Sequence, residues 1–391
     1  MSFAIEAAEL DAADPLAAKR AEFDLDPAVT YLDGNSLGAP PRHVAERLDE
    51  VVREQWGRGL IRSWKQGWWD APERIGDRIA PLVGTGPGRV VVCDSTSVNL
   101  FKALAAAIRL RPGRPEILVD AATFPTDGYM AAGLAGLSGH TVRRVAAGEM
   151  AAAASERTAV ALINHVDYVT AELRDMGAIT GALHRVGALA LWDLCHSVGA
   201  LPVELDAHDV DLAVGCTYKF LNGGPGSPAF LYVAGKWLDG FEQPLSGWAG
   251  HRDPFGMTET YEGKAGIGRA RSGTPDILSL LALDAALDVW RDVSLVELRR
   301  KSLSLGDFFV RCLEELIPDV RILTPRGHGR GSQLSVAGSE KTMDELISRG
   351  VIGDFRPPAV LRFGLTPLYT RYVDVLRAAN ELAQLTESNE V

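Results

Sequence analysis

Between residues 89 and 233 the chain repeats one pattern: a short apolar run, a polar cluster, then a helical stretch before the next run. "RVVVCDS", "EILVDAATF", "HTVRRVA", "TAVALINHVDY", "LALWDLCHS", "VDLAVGCTYKF" and "PAFLYV" read as strands, and "SVNLFKALAAAIRL", "TDGYMAAGLAGLSG" and "TGALHRVGA" as helices. Strands separated by helical patterns of roughly 10 to 15 residues imply βαβ crossovers. The fold class is therefore α/β, with a mostly parallel sheet covered by helices on both faces. From "TPDILSLLALDAALDVW" onward long helices dominate, followed by the short strands of "GSQLSVAG" and "VIGDFRPPAVLRFGL". This shift divides the chain into an N-terminal segment (1–55) packing with the small domain, a large domain (56–275) and a smaller α+β domain (276–391).

In open α/β sheets ligands bind outside the carboxyl ends of the strands. Five polar clusters stand at such ends: "CDSTSVN", "ATFPTDG", "NHVDYVT", "WDLCHS" and "CTYKFLNGG". Composition narrows what they could bind. The 391 residues are 47% hydrophobic and carry a net charge of -11, which argues against nucleic acid or an anionic membrane as the main partner. The four cysteines, Cys93, Cys195, Cys216 and Cys312, form no CxxC pair. No zinc site, disulfide framework or other metal site is expected, and a reducing cytoplasm fits them. The acidic N-terminus lacks a signal-peptide core, and no apolar run approaches the ~18 residues of a membrane helix. The expected partner is a small molecule.

The last cluster places Lys219 between Tyr218 and Phe220, at the end of an apolar run and before the glycine-rich "NGGPG". A lone lysine there usually snorkels to the surface. Held in an apolar cavity, its lowered pKa lets it form a Schiff base. Pyridoxal phosphate needs such a lysine, an acid for its pyridinium nitrogen and a phosphate cradle. Asp193, at an earlier strand end, supplies the acid, with His196 beside it. Thr96 and Ser97 stand at a helix N-terminus, where hydroxyls and free N–H groups receive an anion. Alone, the aspartate reads as a helix cap and "STS" as an N-cap. Their joint occurrence in this order on one sheet edge changes that reading.

The order "STSVNLFKAL", "FPTDGY", "WDLCHSVGALPVEL" and "TYKFLNGGPGSPAFLYV", with the early "YLDGNSLGAPP" and the late "LRFGLTPLYTRYVDV", resembles the kynureninase family of fold-type-I (aspartate aminotransferase-like) pyridoxal phosphate enzymes. "GLIRSW" and "RSGTP" are similar to its bacterial members, and the likeness spans roughly residues 28–380. The resemblance implies that Lys219 carries the cofactor and moves the substrate's α-proton. It implies that Asp193 pairs with the pyridinium nitrogen near His196, that Thr96 and Ser97 hold the phosphate, and that Phe124 stacks on the ring with Asp127 close by. Asn164 approaches the cofactor, at a place where the family more often has a small hydroxyl residue. Tyr218 reaches the phosphate and serves as proton donor. Trp248 and Thr274 complete the phosphate site across a homodimer interface, so that two active sites are shared. Arg362 clamps the substrate α-carboxylate, while Ser36, Trp64 and Gly273 border its aromatic end.

The implied reaction is hydrolysis of L-kynurenine to anthranilate and L-alanine, a step of tryptophan catabolism. Trp64, Gly273 and Thr274 around the aniline ring offer a flat wall and no acceptor for an added hydroxyl, which favours kynurenine over 3-hydroxykynurenine. A cysteine desulfurase on the same scaffold would need a mobile late cysteine, and Cys312 in "FFVRCLEELI" reads as a buried helix position. An aminotransferase shares the early chemistry and is opposed by the GNSLG and RFG segments. A non-catalytic cofactor-binding scaffold is opposed by the intact Lys219, Asp193 and Tyr218. No GxGxxG follows an early strand, which sets a nicotinamide dehydrogenase aside.

Overall fold

The apolar runs become one seven-stranded sheet in a computed structural model that describes residues 2–389. Its strands are β1 (Val90–Val92), β2 (Glu116–Asp120), β3 (Thr141–Val145), β4 (Thr158–Asn164), β5 (Leu189–Asp193), β6 (Leu212–Gly215) and β7 (Phe230–Val233). They lie in the order β1-β7-β6-β5-β4-β2-β3. β7 runs antiparallel to both neighbours and every other pairing is parallel.

Alternate residues feed two cores, as the two-residue period of a strand requires. Val91, Val119, Val160, Leu162, Leu191 and Val214 pack under the helices α1 (Thr96–Leu110) and α2 (Pro125–Ser138). Val90, Val92, Leu118, Ile163, Trp192 and Ala213 pack on the other face, with α3 (Met176–Arg185) among its cover. With both faces covered, β4 to β7 are buried along their whole length, which is why they read as unbroken apolar runs.

The chain passes from β2 to edge strand β3 and returns on the other side of β2 as β4. That reversal opens a crevice at the carboxyl ends of β2 and β4, the place where such sheets bind ligands.

A second, antiparallel sheet in the order β9-β10-β8 follows, built from β8 (Gln333–Ala337), β9 (Asp354–Arg356) and β10 (Val360–Gly364). Its core joins Leu305, Phe309, Leu334, Leu361 and Phe363 to Ala7 and Leu32 of the N-terminal segment. The helix Ile277–Ala286 instead buries Ile277, Leu280 and Leu283 in a core of the large sheet. The change of core thus falls inside the helix Leu295–Leu316, between Leu298 and Leu305, later than the compositional shift near 276. Composition registers where long helices begin, not which sheet they cover.

The N-terminal segment ties the two parts together. Thr30–Tyr31 pairs with Val351–Ile352, and Asp33 bridges to Gly364. A side chain on Gly34 would stand 2.0 Å from the Thr366 hydroxyl, and one on Gly38 would stand 2.2 Å from the Lys219 carbonyl. The glycines of GNSLG are therefore the contact points of this segment with the LTPLY segment and the lysine loop. No helix among the described residues is long and apolar enough to cross a membrane.

Candidate active site

The crevice holds a cleft of about 610 Å³, lined by Thr96, Ser97, Phe124, Asp127, Asn164, Asp193, His196, Tyr218 and Lys219. All five polar strand ends contribute to it. The parallel register sets Asn164 beside Asp193, and the Asp193 carboxylate accepts the Cys195 N–H at 2.8 Å. Ser95 caps α1 by accepting the Val98 N–H at 3.3 Å, which leaves Thr96 and Ser97 in the open first turn of a fifteen-residue helix. Phe124, half exposed, meets Tyr168 edge to face at 5.3 Å.

Lys219 Nζ lies 3.0 Å from His196 Nε2. Burial, and after it the Lys219 charge, holds the His196 imidazole well below its usual pKa, so the ring is neutral and accepts. Two more deeply buried lysines differ in kind. Lys102 pairs with Asp94 and Lys301 with Asp14. Lys219 thus faces a neutral ring where they face carboxylates.

Burial and then the neighbouring Asp193 push the Asp127 carboxyl well above the usual range, and it accepts the Thr123 hydroxyl at 2.5 Å. The charge of Cys216, followed by burial, raises the Tyr218 phenol above its ordinary value, keeping it a proton donor at neutral pH. Cys195 and Cys216 are both buried, and Cys195 is also part of the cleft wall.

Both side-chain atoms of Asn164 are buried without a partner, although such atoms are rarely left so. They sit beside Asp193 in a cleft with an anion-receiving helix start, a half-exposed aromatic ring and a lysine. That set fits pyridoxal phosphate: Thr96 and Ser97 would receive the phosphate, Phe124 would face the ring, Asp193 would meet the ring nitrogen, Asn164 would pair with a polar ring substituent and Lys219 would hold the aldehyde carbon.

Other expected site residues lie off this wall. Arg362 is buried directly behind it, donating through Nη1 to the carbonyl of Tyr168, a residue that lines the cleft, at 2.6 Å. Ser36 donates to Asp354 at 2.5 Å and accepts from Arg362 at 3.2 Å, so Cβ is what remains to meet an aromatic ring. Trp64 packs edge-on against Trp68 and Trp69 at 5.6 and 6.1 Å. Trp69 also contacts Trp248 at 4.9 Å. Gly273 and Thr274 are exposed and line a separate cleft with Arg271. A single chain therefore does not bring Trp64, Trp248, Gly273 and Thr274 to the lysine. Tyr168 escapes the sequence reading of the site, although it falls within the strand-end cluster "NHVDYVT". Asp354 escapes too, since only strand pairing places it.

This sheet order, with a lysine loop before the antiparallel strand and an acid one strand away, defines a fold-type-I pyridoxal phosphate enzyme. The chain superimposes on the apo cysteine desulfurase of Thermococcus onnurineus with a TM-score of 0.81 at 18% identity, covering 95% of this chain and 98% of that one. The Escherichia coli cysteine desulfurase gives 0.79 at 20% identity, covering 95% and 98%. These likenesses carry the fold alone, and Cys312 is fully buried in the helix Leu295–Leu316, where no mobile nucleophile can act.

Sequence relatives narrow the class. The kynureninase C-terminal domain family matches residues 298–382. The kynureninase of Deinococcus radiodurans is 52% identical, covering 97% of this chain and 96% of its own. That of Burkholderia pseudomallei (strain 1106a) is 47% identical, covering 98% and 95%. The chain belongs to the kynureninase family.

Proposed function

We propose that this cleft hydrolyses the Cβ–Cγ bond of L-kynurenine to anthranilate and L-alanine. We further propose that it prefers kynurenine to its 3-hydroxylated form and that a homodimer completes it. The observation that carries the reading is Lys219 at 3.0 Å from a neutral His196, on a wall shared with Tyr218 and Asp193.

Pyridoxal phosphate, when bound, supplies the electron sink that stabilises negative charge at the substrate's α- and β-carbons. The protein's own groups hold and move protons. Asp193 keeps the ring nitrogen protonated. Arg362 binds the α-carboxylate, a fork that suits a planar anion. Lys219 Nζ takes the proton from Cα as general base. Water adds to the γ-carbonyl, and the Cβ–Cγ bond breaks with the aromatic fragment leaving as a carboxylate and its proton passing to water. Tyr218 gives a proton to Cβ, and Lys219 Nζ returns the proton to Cα to complete L-alanine.

The exposed Trp248, Phe255, Gly273 and Thr274 support an assembly in which a second copy brings these residues to the open end of the cleft. Trp64 there gives the aniline ring an apolar wall. The four free cysteines support a place in the cytoplasm. Competition between L-kynurenine and 3-hydroxykynurenine in one reaction tests the preference. Anthranilate should form several times faster than its hydroxylated counterpart, and equal rates would remove Trp64 as the selecting wall.

A further inference from the structure

We propose that Asp354 is a positioning residue that aims Arg362 at the substrate α-carboxylate, an inference that rests on the reading of Arg362 as the carboxylate clamp.

The antiparallel register sets Asp354 directly opposite Arg362, so the two side chains leave the same face of the small sheet as a cross-strand pair. Arg362 Nε donates to Asp354 Oδ1 at 2.6 Å and Nη2 donates to Oδ2, a two-point contact along the Nε–Nη2 edge. On the Nη1–Nη2 edge, Nη1 donates to the Tyr168 carbonyl at 2.6 Å, and Nη2, besides its bond to Asp354, donates to the Ser36 hydroxyl at 3.2 Å. One edge is thus locked by a carboxylate. The other stands behind a cleft-lining residue with acceptors that an incoming carboxylate can outbid.

Charge supports the same assignment. Asp354 Oδ2 also forms an ion pair with Arg356 at 2.9 Å, so two guanidiniums share this carboxylate, while burial and the Asp354 charge raise the neighbouring Asp33 carboxyl to about 7 and so limit its negative charge. Burial raises the Asp354 pKa, but the hydrogen bond and charge of Arg362 outweigh it and keep the group ionised. The arginine is only 1% exposed, so without this brace its long side chain would have to be oriented by a carbonyl and a hydroxyl alone.

The test uses the cofactor-loaded enzyme with Asp354→Asn, Arg362→Ala and the double variant. It compares L-kynurenine with its α-carboxamide and follows L-alanine binding by titration. Asp354→Asn should raise the L-kynurenine KM by about tenfold, with kcat within about threefold, and should weaken L-alanine binding similarly. The preference for acid over amide should shrink by the same factor. In the Arg362→Ala background the substitution should change nothing further, because its effect passes through the arginine. Should Asp354→Asn fail to fold, Ser36→Ala, which removes the hydroxyl joining both partners, should shift KM in the same direction and again lose its effect without Arg362. Equal losses for acid and amide, or a full additional loss in the double variant, would overturn the proposal while leaving the clamp reading intact. An Arg362→Ala enzyme with unchanged L-kynurenine KM would overturn both.

Discussion

Lys219 Nζ and His196 Nε2 stand 3.0 Å apart, an amine held by a neutral ring instead of a carboxylate. An ion pair would hold the lysine as a charged structural residue, as Asp94 holds Lys102. A neutral acceptor orients the amine without pairing it to a carboxylate. Lys219→Ala should therefore lower turnover by about a thousandfold or more, since it removes the proposed base outright. The variant should still bind the cofactor non-covalently. The visible spectrum checks this, because the band of lysine-linked pyridoxal must disappear.

Arg362→Ala removes the proposed carboxylate clamp. The kcat/KM for L-kynurenine should fall by about 2 kcal/mol, roughly 30-fold, as expected for loss of charged hydrogen bonds. Steady-state kinetics measures this. Stability should fall as well, because Asp354 would keep only the half-exposed Arg356 as a charged partner.

Asp33 sets a pH dependence of stability. Burial, and then the Asp354 charge, pushes its carboxyl up to about 7. An unfolded carboxyl titrates near about 4, so between these values the native state holds a proton that the unfolded chain has lost. The stability this contributes is full below about pH 4 and is lost as pH rises through 7, at most about 4 kcal/mol. Denaturant unfolding of Asp33→Asn should show a flatter profile than wild type across that window.

Six of the seven strands of the large sheet are legible as apolar runs because the sheet is covered on both faces, whereas the exposed edge strand Thr141–Val145, with Arg143 and Arg144, is legible only from its place in the alternation. The lysine, the acid and the helix start follow from the polar strand ends. Asp354 is not legible: nothing in "IGDFRPPAVLRFG" says which residue faces Arg362 until the register is fixed. The placement of Trp64, Trp248, Gly273 and Thr274 is not legible for another reason. In one chain Trp64 and Trp248 both pack on Trp69 while Gly273 and Thr274 face outward, and the role proposed for them depends on a second copy. The composition shift near 276 likewise marks helix content and not the change of core.

The shared-site proposal predicts complementation. Lys219→Ala and Thr274→Ala should each be weak alone. Mixed under conditions that exchange subunits, they should regain activity, because one site in the hybrid then has both residues intact. Sedimentation should show a dimer in the same sample, and a monomer at assay concentration would end the proposal.

The most direct measurement mixes the cofactor-loaded protein with L-kynurenine and follows anthranilate by its fluorescence while L-alanine is counted in parallel, with Lys219→Ala as control. The account predicts anthranilate and alanine in equal amounts from the wild type and neither from the variant. A change in the cofactor spectrum without anthranilate would contradict it: the lysine site would stand, but the bond it breaks would be a different one.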